Sequence, residues 1–430
     1  MTDTASPAAH APDGDELAAL DRRHLLHPWT PMAGADPLVL VSGEGCEITD
    51  SYGRTYLDGR SGQFNATLGY RHPKILAALG EQAGKLMTYA LLGASNEAAV
   101  RLAARLAQLL GEPLSHTLFC NSGSEAAEAA IRIVRMHHAL RGEPGRSTVI
   151  SLADGYHGTT LATAAMSASP LAWTGCGPRP EGFVQIAGPH GSGSGAADLE
   201  RAVLAAGPES VAAFFVEPVL GVGGIRPLPP GYLREVREIC DRYGILLVVD
   251  EVTTGLGRTG AWFAHQREGI RPDLVTLAKG LTAGYVPLAA VTTTTAVAEV
   301  FAGDPMLGGL RHGHTTSGHA LGAAVALAVL RTIEEDGLVE HADAMGRLLL
   351  GGLTDRLKDL DGVRDVRGEG LLAGIEFDTF ERAAQVAGGC LARGVVVRSE
   401  GPVLAVAPPL IVTADQVDRI VDALHASAAA

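Results

Sequence analysis

Three apolar runs in this chain stop at a residue able to do chemistry. AAFFVEPV presents Glu217, LLVVDEV presents Asp250 and LVTLAKG presents Lys279. Such runs suit strands buried on both faces of a parallel sheet, and in open α/β sheets ligands gather beyond the carboxyl ends of the strands. One strand-end Asp could equally begin a turn. The lysines carry more weight, because the chain has only Lys74, Lys85, Lys279 and Lys358. Lys74 starts a helix after His72-Pro73, and Lys85 and Lys358 lie in amphipathic stretches. Lys279 alone follows directly on an apolar run, with Gly280 behind it. An amine placed there is either a charge needing a partner or a nucleophile with a lowered pKa.

A further element is CNSGSEAAEAAIRIV, in which a strand ends at Cys120 and Ser122-Gly123-Ser124 lead into a helix. The free N–H groups and dipole of a helix start attract a phosphate, although Ser with Glu nearby is also ordinary capping. Joined to Lys279 and Asp250, the pattern points to one cofactor. Pyridoxal phosphate offers an aldehyde to Lys279, a pyridine nitrogen to Asp250 and a phosphate to the helix start.

The elements that must position these groups are legible in outline. The chain has 430 residues, 47% of them hydrophobic and 19% charged, which describes a well-cored globular protein of two or three domains. A formal charge of −14 argues against a general affinity for nucleic acid or an anionic membrane and favours a small metabolite as partner. No apolar run approaches a membrane span. Cys46, Cys120, Cys176, Cys240 and Cys390 lie far apart without a metal-like spacing, so no metal site is expected and reduced thiols in a cytoplasm are. Residues 1–20 are expected to form a flexible tail and not a signal peptide.

EGCEITDSYGRTYLDG predicts a hairpin, and Pro73 to Leu110 reads as helical. Apolar runs then alternate with helical stretches: TLFC before SEAAEAAIRIVRMHHAL, then TVISL, AAFFVEPV before GYLREVREICDRYG, ILLVVDEV, LVTLAKGL and LAAVTT. This alternation predicts a mostly parallel sheet covered on both faces. HALGAAVALAVLRTIEE leads out of that domain, and the remainder reads as a smaller α+β unit. The boundaries expected are 21–72 for an N-terminal part of the small domain, 73–325 for the large domain and 326–430 for the rest of the small one.

NSGSEAAEAAIRI, DGYHGTT, FFVEPV, VVDEVTTGLGRTG, PDLVTLAKGL and HGHTTSGHALGAA, in this order, resemble the class III aminotransferases from about His27 to the end. The resemblance implies the α/β fold of the fold-type I pyridoxal-phosphate enzymes: a large domain with a mostly parallel seven-stranded sheet, a small domain from both chain ends, and a homodimer with shared active sites. It implies that Lys279 carries the cofactor as an aldimine and moves the proton in a ping-pong reaction, while Asp250 pairs with the pyridinium. Tyr156 would stack on one ring face and Val252 lie against the other, with His157 of the same GYHG stretch and Glu217 supporting the ring. Ser122, Gly123, Ser124 and the neighbouring subunit's copy of Thr315 would bind the phosphate. Thr253 departs from relatives with Gln there, and Ala320 from those with Pro.

The substrate is less legible. Many relatives using glutamate or ornithine have an Arg where this chain has Ala405, so a fixed α-carboxylate clamp is missing. Arg398 of VVVRSEG stands where amine:pyruvate transaminases and diaminopelargonic acid aminotransferase have a substrate-facing Arg; a solvated strand-edge Arg is the plainer reading. HLLHPWTPM is similar to the latter enzyme, with Trp29 for a Tyr, but Gln63 and Phe64 replace a Trp pair and Thr159 an Asp. The expected substrate residues are Trp29, Gln63, Phe64 and Arg398. The reaction expected is transfer from an amino-acid donor to an aldehyde or ketone, in biosynthesis of a specialised metabolite. SGQ and ATLG also resemble dialkylglycine decarboxylase, the alternative reading; a non-catalytic homologue is the remote one.

Overall fold

The computed structural model describes residues 14–32, 38–190 and 195–430. Its centre is a seven-stranded sheet made of β1 (Leu114–Cys120), β2 (Thr148–Leu152), β3 (Phe183–Ile186), β4 (Val211–Val216), β5 (Leu246–Asp250), β6 (Leu274–Leu277) and β7 (Ala289–Thr294). The spatial order is β1-β7-β6-β5-β4-β2-β3. Only β7 runs antiparallel to its neighbours, so the other six strands end on one edge. β4 and β5 are buried along their whole length, which is why their sequences read as unbroken apolar runs and not as alternation. FVQI at β3 gave no such signal, because an edge strand with three of its four residues half-buried needs no continuous apolar run.

Helices cover both faces. Gly123–Leu140 presents Ala126, Ala130 and Val134 to one face, and Tyr232–Tyr243 presents Leu233, Val236 and Cys240 to the other. The second ends at Gly244 with φ 67°, a left-handed position that turns the chain straight into β5.

The smaller part draws on both ends of the chain. Leu40–Glu44, Glu47–Asp50 and Thr55–Asp58 form an antiparallel meander that contains the expected hairpin, and Val395–Val396 joins it in parallel to the third strand. A second, antiparallel sheet has the order Val363–Gly368, Ala373–Phe377, Val403–Val406, Arg398–Glu400. Two expectations need correction. Gly14–His24 is a helix with acids in its first turn and bases in its last, a charge order that favours helix, where a tail to residue 20 was expected; residues 1–13 lie outside the described residues. The expected boundary at residue 325 falls inside the helix Ala320–Glu335, which packs against Pro73–Lys85 and Glu97–Leu110 and so belongs to the large domain to its end.

Arg258 joins the parts. Its fully buried guanidinium donates from Nη1 to Leu371 O (2.9 Å) and Pro408 O (2.6 Å) and from Nη2 to Ser61 Oγ (3.2 Å). All five cysteines are unpaired. No helix among the described residues is long and apolar enough to cross a membrane.

Candidate active site

Asn121 to Ser124 follow β1, Tyr156 and His157 follow β2, Glu217 follows β4, Asp250 ends β5 and Lys279 follows β6. All therefore sit at one edge of the sheet, and together they line a single cavity of about 390 Å³. The topology alone brings them together, since six strands of one direction end there.

The two acids after LLVV have separate fates. Asp250 faces the cavity: its Oδ2 lies 2.8 Å from His157 Nδ1 and its Oδ1 accepts from Val252 N at 3.1 Å. Glu251 turns into the protein, where Oε1 accepts from His265 N (2.8 Å) and Oε2 from Thr254 Oγ1 (2.5 Å). Consecutive strand residues point to opposite faces, so one acid serves the site and the other the packing. Burial alone would push the His157 pKa down, but the Asp250 carboxylate outweighs it and the net direction is up.

Lys279 has φ 32°, an uncommon left-handed conformation for a residue with a side chain. Its amine donates to Thr253 Oγ1 at 2.6 Å and lies 5.3 Å from the centre of the Phe64 ring. Burial drives its pKa down to about 8 against the pull of Glu217 and Asp250, with Arg258 and Arg398 adding to the fall. Glu217 accepts from Tyr156 N (2.9 Å) and Gly221 N (3.1 Å). Burial first, then Asp250, raises its pKa to about 7, while His157 opposes.

At the helix start, Ser122 caps Glu125 N through Oγ at 3.2 Å, and the N–H groups of the first helical turn have no partner within the helix. A Cβ on Gly123 would stand 3.1 Å from Val252 Cγ1, and one on Gly158 2.5 Å from Ser124 Oγ. Glycine at both positions lets the loops close around the cavity while leaving its space open.

Other expected residues are placed less simply. Gln63 lines the cavity; Phe64 is buried in a small cluster with Ala405, Ile225 and Leu372. Arg398 pairs across strands with Ala405 and lies 2.5 Å from Glu400. Trp29 is 54% exposed, and Thr315 is exposed; neither lines the cavity of its own chain. Thr253, Arg60 and Glu400 were missed as functional candidates, the first read only as a departure from Gln. For Glu400 the available signal was its spacing of two from Arg398 on a strand.

Fold and site together define a fold-type I pyridoxal-phosphate-type transferase. The aminotransferase class-III family matches residues 31–427. The chain is 37% identical to adenosylmethionine-8-amino-7-oxononanoate aminotransferase of Geobacter sulfurreducens, covering 96% of this chain and 98% of that one. It is 40% identical to acetylornithine aminotransferase 1 of Bordetella bronchiseptica, covering 90% and 93%. Among solved structures, an (S)-enantioselective omega-transaminase from Thermomicrobium roseum superposes with a TM-score of 0.92 at 35% identity, covering 96% and 98%. The protein belongs to the class III aminotransferases, a family that uses pyridoxal phosphate, and it is a transaminase acting on small-molecule amines and carbonyls.

Proposed function

We propose that the protein transfers an amino group from an amino-acid donor to an aldehyde or ketone acceptor that lacks an α-carboxylate, in two half-reactions. Its relatives act on different substrates at nearly equal identity, which leaves the choice to site residues. The observation that carries it is the cross-strand pair of Arg398 with Ala405: one guanidinium near enough to act on the Lys279 amine, and a methyl group where relatives have a second.

The residues present fit pyridoxal phosphate. An amine, a buried carboxylate and a helix start open on one cavity, and Gly123 keeps free the space beside Val252 that a Cβ would crowd. In our reading Lys279 holds the cofactor, Ser122, Gly123 and Ser124 bind its phosphate, and Asp250, oriented by His157, holds a proton on the ring nitrogen. Tyr156 and Val252 flank the ring, and Glu217 fixes the Tyr156 backbone. When bound, the cofactor supplies an electron sink for breaking a bond at the substrate carbon. Lys279, steered by Thr253 Oγ1, would move the proton. Arg398 clamps the donor carboxylate and is released from it for the acceptor; Trp29 gives apolar surface and Gln63 a hydrogen bond, while buried Phe64 backs the Lys279 amine.

We further infer a homodimer in the cytoplasm, in which Trp29 and Thr315 act in the neighbour's site. Exposed Leu86, Met87, Tyr89 and Leu92 support this, because Leu321 N bonds Met87 O at 3.1 Å and so sets that apolar segment beside HGHTTSG. A specialised biosynthetic role rests on the departures at Gln63, Phe64, Thr159 and Ala405.

The test is a pair of half-reactions on Arg398→Ala. The KM for an α-amino-acid donor should rise sharply while that for a neutral aldehyde holds; equal losses in both would remove the dual role. A second reading, decarboxylation of a dialkyl amino acid, is favoured by Gln63 on the cavity wall, and stoichiometric CO2 release would place it first.

A further inference from the structure

Arg398, given a task above, is ion-paired with Glu400, which has none and which lies within electrostatic reach of the Lys279 amine. Arg398 Nε lies 2.5 Å from Glu400 Oε1, and the two side chains retain 22% and 13% of their surface. Residues two apart on a strand share a face, so the strand Arg398–Glu400 itself sets both groups on one side. Their cross-strand partners are Ala405 and Val403, neither of which can compete for a guanidinium.

Arg60 is the third member. Gly59 N donates to Val396 O (2.9 Å) and Gly59 O accepts from Ala407 N (2.7 Å), which seats the loop carrying Arg60 against the chain just before Arg398 and just after Val406. Arg60 donates from Nε to Gly62 O (2.5 Å) and from Nη2 to Gln63 Oε1 (3.0 Å), and Gln63 lines the cavity. Burial and then Arg398 lower the Arg60 pKa; burial raises that of Glu400, opposed by Arg398, Arg60 and Lys279. Glu400 thus lies within electrostatic reach of both guanidiniums and of the reactive amine.

Arg398, Arg60 and Glu400, all partly out of water, set a rule for occupancy; Asp58 also acts on Arg60, but its carboxylate accepts from Arg60 N, Gly62 N and Tyr70 OH. A half-buried guanidinium left alone is costly, and so is a half-buried carboxylate. With a substrate that brings no carboxylate, Glu400 satisfies Arg398. With a donor whose carboxylate takes Arg398, Glu400 is displaced and needs another cation, which Arg60 provides. A second substrate carboxylate would meet Glu400 with no cation left to offset it.

We propose that Glu400 is a specificity-determining residue that occupies Arg398, yields to a single substrate carboxylate by passing to Arg60, and repels a second, so that the site takes monocarboxylate donors and rejects dicarboxylates. The proposal rests on the role of Arg398 stated above.

The test uses butyrate and glutarate as non-reacting probes of the cofactor-loaded enzyme, with binding read from the cofactor absorbance and from competitive inhibition. Glu400→Gln should tighten glutarate by about tenfold or more and narrow the butyrate preference, because the repelling charge is gone and the shape is kept. Arg60→Gln should weaken butyrate in the wild-type background and not in Glu400→Gln, a coupling that a double-mutant cycle reads directly. Glu400→Asp should retain the wild-type preference. An unchanged butyrate-to-glutarate ratio in Glu400→Gln, the same shift in Glu400→Asp, or equal Arg60→Gln losses in both backgrounds would overturn the proposal. Arg398→Ala separates the two levels: if it leaves butyrate binding unaltered the reading of Arg398 itself falls, whereas weakened butyrate with no effect of Glu400→Gln removes only the role of Glu400.

Discussion

His157 Nδ1 stands 2.8 Å from Asp250 Oδ2 and, with Val252 N on the other oxygen, fixes the plane of the Asp250 carboxylate. Asp250 acts by charge and His157 by orienting that charge, so their substitutions should differ in size. A charge pair at about 4 Å and an effective dielectric of about 20 is worth roughly 4 kcal/mol. Asp250→Asn should therefore slow the chemical step by about a thousandfold. His157→Ala removes one charge-assisted hydrogen bond, worth about 1.5–3 kcal/mol, and should cost about ten- to a hundredfold. Single-turnover rates check the order; a near-normal Asp250→Asn would take Asp250 out of the mechanism.

Lys279 can attack an aldehyde only as the neutral amine. With its pKa held down to about 8 by burial, the neutral fraction rises with pH through that value. Recombination of apoenzyme with pyridoxal phosphate, followed by absorbance, should accelerate between pH 7 and 9 and then level off. A rise centred near the ordinary lysine pKa would contradict the effect of burial.

Glu217 gives the opposite dependence, in stability. Its pKa is raised by burial from 4.5 to about 7, so between those values the folded chain binds more protons than the unfolded one and stability falls as pH rises. The contribution is fully present below about pH 4.5 and lost above about pH 7. Glu217→Gln should remove that fall, shifting the apoenzyme's stability relative to wild type by roughly 3 kcal/mol between pH 5 and pH 8. Urea midpoints at the two values decide it, and parallel changes in both proteins would refute it.

The main groups of the site were legible in the sequence because they end apolar runs. Asp250, Lys279 and Glu217 each follow a strand buried on both faces, and such strands announce their own ends. Glu251 illustrates the limit: it is adjacent to Asp250 and chemically equivalent, and only the alternation of the strand separates a site acid from one bonded to His265. Thr253 was not legible because it meets Lys279 only in the fold, whereas Arg60 and Glu400 have local partners in Gln63 and Arg398 whose place beside the site the sequence does not show. The helix Gly14–His24 was masked by the Pro- and Gly-containing stretch before it, and β3 by its exposure at the sheet edge.

Thr315 is exposed and lies off its own chain's cavity, which leads to a concentration test. If it completes the neighbour's phosphate site, Thr315→Ala should weaken cofactor binding by about tenfold, the loss of about one hydrogen bond to a charged group. Dilution to monomer should release cofactor from the wild type as well. An active monomer with undiminished cofactor affinity would contradict the shared site.

Whether Lys279 and Asp250 support transfer of an amino group is decided in a single half-reaction. Enzyme loaded with pyridoxal phosphate is mixed with an amino-acid donor and no acceptor, and the keto acid formed, the CO2 released and the cofactor spectrum are quantified per subunit. The expected result is one keto acid per subunit, full conversion of the cofactor to its amine form, no CO2, and no conversion in Lys279→Ala. One CO2 for each carbonyl product, or full turnover in Lys279→Ala, would contradict it.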